Sequence, residues 1–311
     1  MGERADNVVS VAIPVRDGAP HLPALFDALH AQQVEADVEI VVVDSGSTDG
    51  SAALCERAGA QVERIAPEEF SHGGTRNRLM EMATGARVAF LTQDAVPAHE
   101  GWLASLMSGF GDDDVGLVCG PYLPHPDASP MVTRELREWF ATIPALARGP
   151  VGDSPAPGPH TFFSSANGAV RRTAWERVPF RNVPYAEDQR LALDMLNAGF
   201  SKAYVPAAGV VHSHDYPTSE RFRRWFDEFR ALREVYGYRA PLAPRPVLTR
   251  IRHEVARDRA AAGDAIVWES LCYHTLRALG AALGTRADRL PAAVRSWCSL
   301  ERRSTYQPSH S

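Results

Sequence analysis

The chain has 311 residues, 45% hydrophobic and 23% charged, with a formal net charge of −5. That length and balance exclude a disordered or fibrous chain and fit one large domain, or one domain with a helical appendage. The acidic balance argues against nucleic acid as a partner.

The four cysteines (Cys55, Cys119, Cys272, Cys298) are scattered, with no CxxC pair, and read as reduced thiols rather than a disulfide framework or zinc site. The Met-Gly-Glu-Arg-Ala-Asp start has no apolar leader, and no apolar run reaches bilayer-spanning length. A cytoplasmic location is expected. Charge is uneven. Residues 216–311 hold 17 Lys+Arg against 10 Asp+Glu, so the acidic excess lies in the rest of the chain. Solvated helix faces explain such a tail most simply; the sharper reading is contact with an anionic membrane surface at the inner face of the membrane.

In chain order, Val8 to Val15, Val38 to Val43 and Val88 to Leu91 are short apolar runs suited to strands buried on both faces. Leu22, Leu25, Phe26 and Leu29 recur at helical spacing, as do Ala52, Leu54, Cys55 and Ala58. Strand–helix alternation predicts βαβ units and a mostly parallel sheet, with ligands beyond the carboxyl ends of the strands. Asp44 and Asp94 stand at two such ends. Residues 144–160 are too rich in proline and glycine for regular structure and read as a linker or, between chemically loaded segments, a lid. From Thr218 onward, Phe222, Trp225, Phe226, Phe229, Leu232 and Tyr236 mark an amphipathic helix, and alanine- and arginine-rich helical patterns follow to about residue 303.

Six segments carry chemistry. In Val41–Gly50 the strand breaks into a turn, and Asp44 either caps the next helix or accepts a hydrogen bond from a pyrimidine imide. In Phe70–Asn77, Gly73 and Gly74 permit close backbone approach at a helix start, and Arg76 suits phosphate oxygens unless it forms an ordinary ion pair. Asp94 offers one hard oxygen ligand to a divalent cation, Mg²⁺ or Mn²⁺. His212 and His214, two apart, point to one side if extended, and one of them can complete that site, Mn²⁺ accepting imidazole more readily. Glu187 and Asp188 lie near a helix start, where the macrodipole alone would favour them; otherwise one is a general base, ionised at neutral pH with an ordinary carboxylate pKa. Phe162–Gly168 is a small-residue turn that can contour a sugar or acceptor pocket through Asn167 and Gly168.

Taken in order, IPVRDG, VVVDSGSTDG, FSHGGTRN, FLTQDAVP, FFSSANGAVRR, AEDQ and HSH resemble family 2 glycosyltransferases of the GT-A fold, and most of all the bacterial rhamnosyltransferase-like group. The resemblance spans roughly residues 8–230. It implies a nucleotide-diphospho-sugar donor, first dTDP-rhamnose, and inverting transfer to a hydroxyl of a glycan, a lipid-linked glycan or a natural product. By position it implies that Pro14, Val15 and Asp17 line the nucleotide site and that Asp44 contacts the base. It sets Arg76 near the diphosphate. Asp94 and His214, or less so His212, hold the metal, and Asp188 is the base with Glu187 its neighbour. Gln93, on the donor side, stands where many relatives carry a second acid. The expected organisation is a GT-A catalytic domain over 1–217, with a nucleotide-binding half at 8–120 and an acceptor half at 121–217, followed by a helical extension over 218–311. The competing readings are a sugar-1-phosphate nucleotidyltransferase, whose glycine-rich signature is missing at Val11–Gly18, and a non-catalytic nucleotide- or glycan-binding module.

Overall fold

The computed structural model describes residues 7–152 and 155–300, apart from the side chain of Ser219. The chain opens with β1 (Val8–Val15), α1 (Leu22–His30), β2 (Asp37–Asp44), α2 (Ser51–Arg57) and β3 (Gln61–Arg64). Next come α3 (His72–Met82), β4 (Arg87–Leu91), β5 (Val96–Pro97), α4 (Trp102–Ser108), β6 (Val115–Cys119) and β7 (Tyr122–Leu123). The middle holds α5 (Pro130–Ala141), β8 (Leu146–Arg148), β9 (Asn167–Arg171), α6 (Arg172–Arg177), α7 (Glu187–Asn197), β10 (Ser201–Tyr204) and β11 (Val210–Val211). The last part is helical: α8 (Thr218–Tyr236), α9 (Pro244–Ala262), α10 (Val267–Gly284) and α11 (Ala292–Cys298).

Eight strands form one sheet in the order β3-β2-β1-β4-β9-β6-β10-β8. The neighbours are parallel except where β9 inserts antiparallel between β4 and β6, and where β8 runs antiparallel along the β10 edge. Both faces are covered. Val11 and Ile13 of β1 pack with α1 and α4 on one side, while Ala12 shares the other with Leu79 of α3 and Leu191 of α7. That two-sided burial is why these strands read as unbroken apolar runs rather than alternating ones. The segment 144–160 was expected to be irregular throughout, yet Leu146–Arg148 forms β8, because the exposed edge of β10 supplies ladder partners to three residues ahead of the proline-rich stretch. Asp153 and Ser154 lie outside the described residues.

A second sheet, β5-β11-β7, is small and decisive for the site. Val211 pairs with Val96, and Val210 with Pro97. That register carries the residues just after β11 to the residues just before β5, so His212 arrives beside Asp94.

Arg172 shows how the layers are joined. Its buried guanidinium donates to the carbonyls of Met80 (2.8 Å), Gly85 (3.0 Å) and Ala83. These are carbonyls at and just past the end of α3, which the helix itself leaves unpaired. Arg172→Ala should therefore cost about 3 kcal/mol, read as a lower urea midpoint at unchanged slope.

Candidate active site

A cavity of about 1310 Å³ opens beyond the carboxyl ends of β1, β2 and β4. Pro14, Val15 and Arg16 line it from β1 and its loop, Ser45 from the β2 turn, and Gln93 and Asp94 from the loop after β4. The rim loops are tied to one another by side chains. Asp17, at a left-handed φ of 46°, accepts from the Thr48 amide (2.8 Å), and Ser47 Oγ accepts from the Asp17 amide (2.9 Å). Gln93 clasps Arg16 on both sides: Oε1 accepts from its amide (2.9 Å) and Nε2 donates to its carbonyl (3.1 Å). Gly18 is required by that clasp, since a Cβ there would lie 2.5 Å from Gln93 Oε1. The structure thus gives Asp17 and Gln93 loop-holding bonds, with Gln93 also facing the cavity and Asp17 not among its lining residues.

Asp44 is buried at the end of β2, paired in register with Val15. Its Oδ1 accepts from the amides of Gly46 (3.2 Å) and Ser47 (3.0 Å), which fixes the turn. Its Oδ2 is buried with no hydrogen-bond partner among the described residues. An acceptor left open in this way is costly unless a ligand or water satisfies it.

Asp94, His212 and His214 form a compact cluster, with one potential ligand atom from each lying within 4.8 Å of the others. His214 Nε2 stands 3.3 Å from Asp94 Oδ2, and His212 Nδ1 stands 3.7 Å from Asp94 Oδ1. Burial disfavours the Asp94 carboxylate, but the two facing imidazoles together with bonds from the Thr92 side chain and its own backbone hold its pKa below the ordinary range. Burial pushes His212 down, and pushes His214 down to about 4 with further help from His212. Both rings are therefore neutral near pH 7, with lone pairs available to a metal. His212 Nδ1 is buried without a hydrogen-bond partner. One carboxylate, two neutral imidazoles and an orphaned ring nitrogen fit a Mn²⁺-type cation.

Asp188 and Glu187 begin α7, after Ala186 in a left-handed turn (φ 59°). Both line the cavity. Glu187 is buried and paired with Arg76 at 2.9 Å. Asp188 accepts from the amides of Ser165 (3.1 Å) and Gln189 (2.7 Å). Burial, reinforced by repulsion from Glu187, raises Asp188 to about 6 despite Arg76 and those amides. This corrects the expectation of an ordinary carboxylate pKa and makes Asp188 a stronger base that is still mostly ionised at pH 7. Arg76 lines the cavity, but its Nη1 is committed to Glu187 and to the His72 carbonyl. Gly73 does permit a close backbone approach, here by another part of the chain. A Cβ there would lie 2.1 Å from the Arg181 carbonyl, so its bareness serves chain packing.

Asn167 and Gly168 need a further correction. Asn167 is fully buried at the start of β9, and neither residue lines the cavity. The Asn167 amide is spent on Trp102 Nε1 (3.0 Å) and on the carbonyls of Pro121 (3.0 Å) and Ala208 (2.8 Å). Phe162, Phe163, Ser164 and Ala166 of the same turn do face the cavity. Sequence reasoning also missed Trp139 of α5, which sits edge-on to Phe162 (5.5 Å), and Tyr122, which sits edge-on to His212 (5.0 Å). It missed as well the wall supplied by α8, α9 and α10 through Arg224, Trp225, Arg250, Tyr273 and Arg277. The aromatic spacing in α5 was the available signal. Nothing local marks the helical wall.

Comparison with known proteins decides the family. The family model described as "Glycosyl transferase family 2" matches residues 10–177. The chain belongs to glycosyltransferase family 2. It is rhamnosyltransferase-like: it is 32% identical over 224 residues to the O-antigen chain rhamnosyltransferase RfbN of Salmonella typhimurium, covering 70% of each chain. It is 34% identical over 201 residues to WbaN, the corresponding enzyme of Salmonella anatum, covering 63% of each. Among solved structures, the mannosyltransferase PcManGT of Pyrobaculum calidifontis, in complex with GDP-Man and Mn²⁺, aligns over 91% of this chain and 88% of its own at 20% identity (TM-score 0.62). Glucosyl-3-phosphoglycerate synthase of Mycobacterium tuberculosis aligns over 77% and 83% at 20% identity (TM-score 0.53). These two likenesses establish the GT-A fold. The family 2 assignment makes the chain a nucleotide-sugar glycosyltransferase.

Because all three bonds of the Asn167 amide are internal, Asn167→Ala should destabilise the fold by about 2–3 kcal/mol. Assayed below its melting temperature, the variant should keep the parent's acceptor KM.

Proposed function

We propose that this family 2 enzyme transfers a deoxyhexose, with dTDP-rhamnose the first donor to test, onto a hydroxyl of a growing glycan, with inversion and with Asp188 as general base. The observation that carries the reading is the shared cavity. The Asp188 carboxylate, the Asp94–His212–His214 cluster and the β1, β2 and β4 loop ends all face it or border it. The chain's similarity to two O-antigen chain rhamnosyltransferases supports the sugar and the acceptor class. The open Oδ2 of Asp44 supports a base that presents an N–H to it, as the imide of a thymine or uracil does.

Asp94, His212 and His214 would hold the divalent cation, which when bound supplies positive charge for the donor's diphosphate. The chain's own residues do the rest. Asp188 accepts the acceptor proton as the hydroxyl oxygen bonds to the anomeric carbon from the side opposite the leaving group. The bond from that carbon to the diphosphate oxygen breaks, and the nucleoside diphosphate departs with its electron pair. Arg76 neutralises the buried Glu187, so that α7 can begin with two adjacent acids while Asp188, partly exposed to the cavity, stays available. Trp139 and Phe162 offer an apolar aromatic wall on the acceptor side.

Asp188→Asn should lower kcat by about 10²–10⁴-fold and leave donor binding within about twofold of the parent, measured by calorimetry. In the parent enzyme kcat/KM should fall about tenfold per pH unit below about 6, because protonation of Asp188 removes the base. A flat profile between pH 5 and pH 7 would rule Asp188 out as the base.

A thermal-shift screen of dTDP, UDP and GDP with their sugar conjugates, each with Mn²⁺ or chelator, tests donor and metal together. Stabilisation by thymidine or uridine nucleotides that needs Mn²⁺, and that is lost in Asp94→Ala, is the expected outcome.

A further inference from the structure

Seven of the large hydrophobic side chains left exposed lie between Leu242 and Trp297, among them Trp268 at 74%, Trp297 at 65% and Leu248 at 57%. On α10 they follow a helical rule. Trp268, Leu271, Thr275 and Leu279 are exposed and recur at intervals of three and four, a stripe without a charged residue. It runs about 16 Å along the helix.

The other side of α10 is fully used. A Cβ on Gly280 would lie 2.8 Å from Trp225 Cβ, and one on Gly284 would lie 2.4 Å from the Phe226 carbonyl, so α8 is pressed against that face. Tyr273, His274 and Arg277 on the same inner side line the cavity. With 3.6 residues per turn, the stripe lies about half a turn away from them. The inward packing of α10 is complete, and its outer apolar stripe contributes nothing to it.

The charge around the stripe narrows the occupant. Residues 216–311 are the basic part of an otherwise acidic chain. Arg245 and Arg252 of α9 are exposed, and neither makes an ion pair among the described residues. No helix among the described residues is long and apolar enough to cross a membrane. An exposed tryptophan and leucines on α10, with exposed arginines on the α9 that packs against it, suit a surface that is apolar at its centre and anionic around it.

We infer that the outer face of α9 and α10 docks on the surface of an anionic phospholipid bilayer, with Trp268, Leu271 and Leu279 entering the headgroup region and Arg245 and Arg252 facing lipid phosphates. Tryptophan is favoured at that depth, and arginines add electrostatic attraction that falls within a Debye length. The inference uses neither the donor nor the catalytic base, so it stands or falls apart from the proposed reaction.

The test is co-sedimentation of the full chain with vesicles of phosphatidylglycerol and phosphatidylcholine, compared with phosphatidylcholine alone, at about 0.1 M and about 0.5 M salt. Binding should need the anionic lipid and weaken at the higher salt. Trp268→Ser with Leu271→Ser should raise the half-saturating lipid concentration at least about tenfold. Arg245→Gln and Arg252→Gln should each raise it about fivefold. All four side chains are exposed, so unchanged melting temperatures should confirm that the variants fold. Absence of binding, equal binding to phosphatidylcholine alone, or variants that bind like the parent would each overturn the inference. So would a dimer, seen by sedimentation velocity, that Trp268→Ser dissociates, since the stripe would then belong to a second copy of the chain.

Discussion

The ion pair between Arg76 and Glu187 is the contact on which the chemistry of the site rests. Glu187, buried, and Asp188, partly buried against the cavity, are adjacent acids at the start of α7, and two neighbouring carboxylates drawn away from water cannot both stay ionised without compensation. Arg76 reaches from α3 and neutralises one of them at 2.9 Å. Removing one member of such a buried pair typically costs about 3–5 kcal/mol, because the other charge is stranded. The neighbouring acid keeps its raised pKa through burial and residual repulsion, and two backbone amides aim its oxygens. One arginine thus joins the helix that follows β3 to the helix that carries Asp188.

A second constraint is the geometry of the rim. The loops after β1, β2 and β4 are long enough to wander, yet short polar side chains hold them at fixed spacing. Asp17 holds Thr48, Ser51 Oγ accepts from the Gly18 amide, Asp49 accepts from the Ala19 amide, and Gln93 holds Arg16. Gln93 is well suited to this because an amide side chain can accept from an N–H and donate to a carbonyl at once, which a carboxylate cannot. Gln93 therefore has a bonding pattern that an acid in its place could not reproduce.

Much of this was legible in the sequence, because it depends on local pattern. Continuous apolar runs gave β1, β2 and β4, and the polar residues at their ends gave Asp44 and Asp94. The two-residue spacing of His212 and His214 suggested a shared side, and both do approach Asp94. What escaped was set by partners far along the chain. Asn167 looked like a pocket residue because its neighbours are small and polar, but Trp102, Pro121 and Ala208 claim its amide. Arg76 was open to phosphate or to an ordinary ion pair, and the partner that makes it a buried pair, Glu187, lies more than a hundred residues away in sequence. Strand β8 was hidden because its pattern is three residues long and its partner is an open sheet edge. The raised pKa of Asp188 follows from burial, which no local motif records.

The charged side of α5 bears on how the cavity can change shape. Arg134 bonds Glu254 (2.8 Å) and Asp258 (2.6 Å) of α9, while Glu135 bonds Tyr273 (2.9 Å) and Arg277 (2.6 Å) of α10. The fully buried Asp258 also takes bonds from Ser270 and His274. The aromatic wall that α5 presents to the cavity is therefore riveted to the last helices. A chain cut back to residue 217 would lose not a passive tail but the counter-charges of α5. In the whole molecule, widening this side of the cavity means moving α5, α9 and α10 together as one rigid jaw.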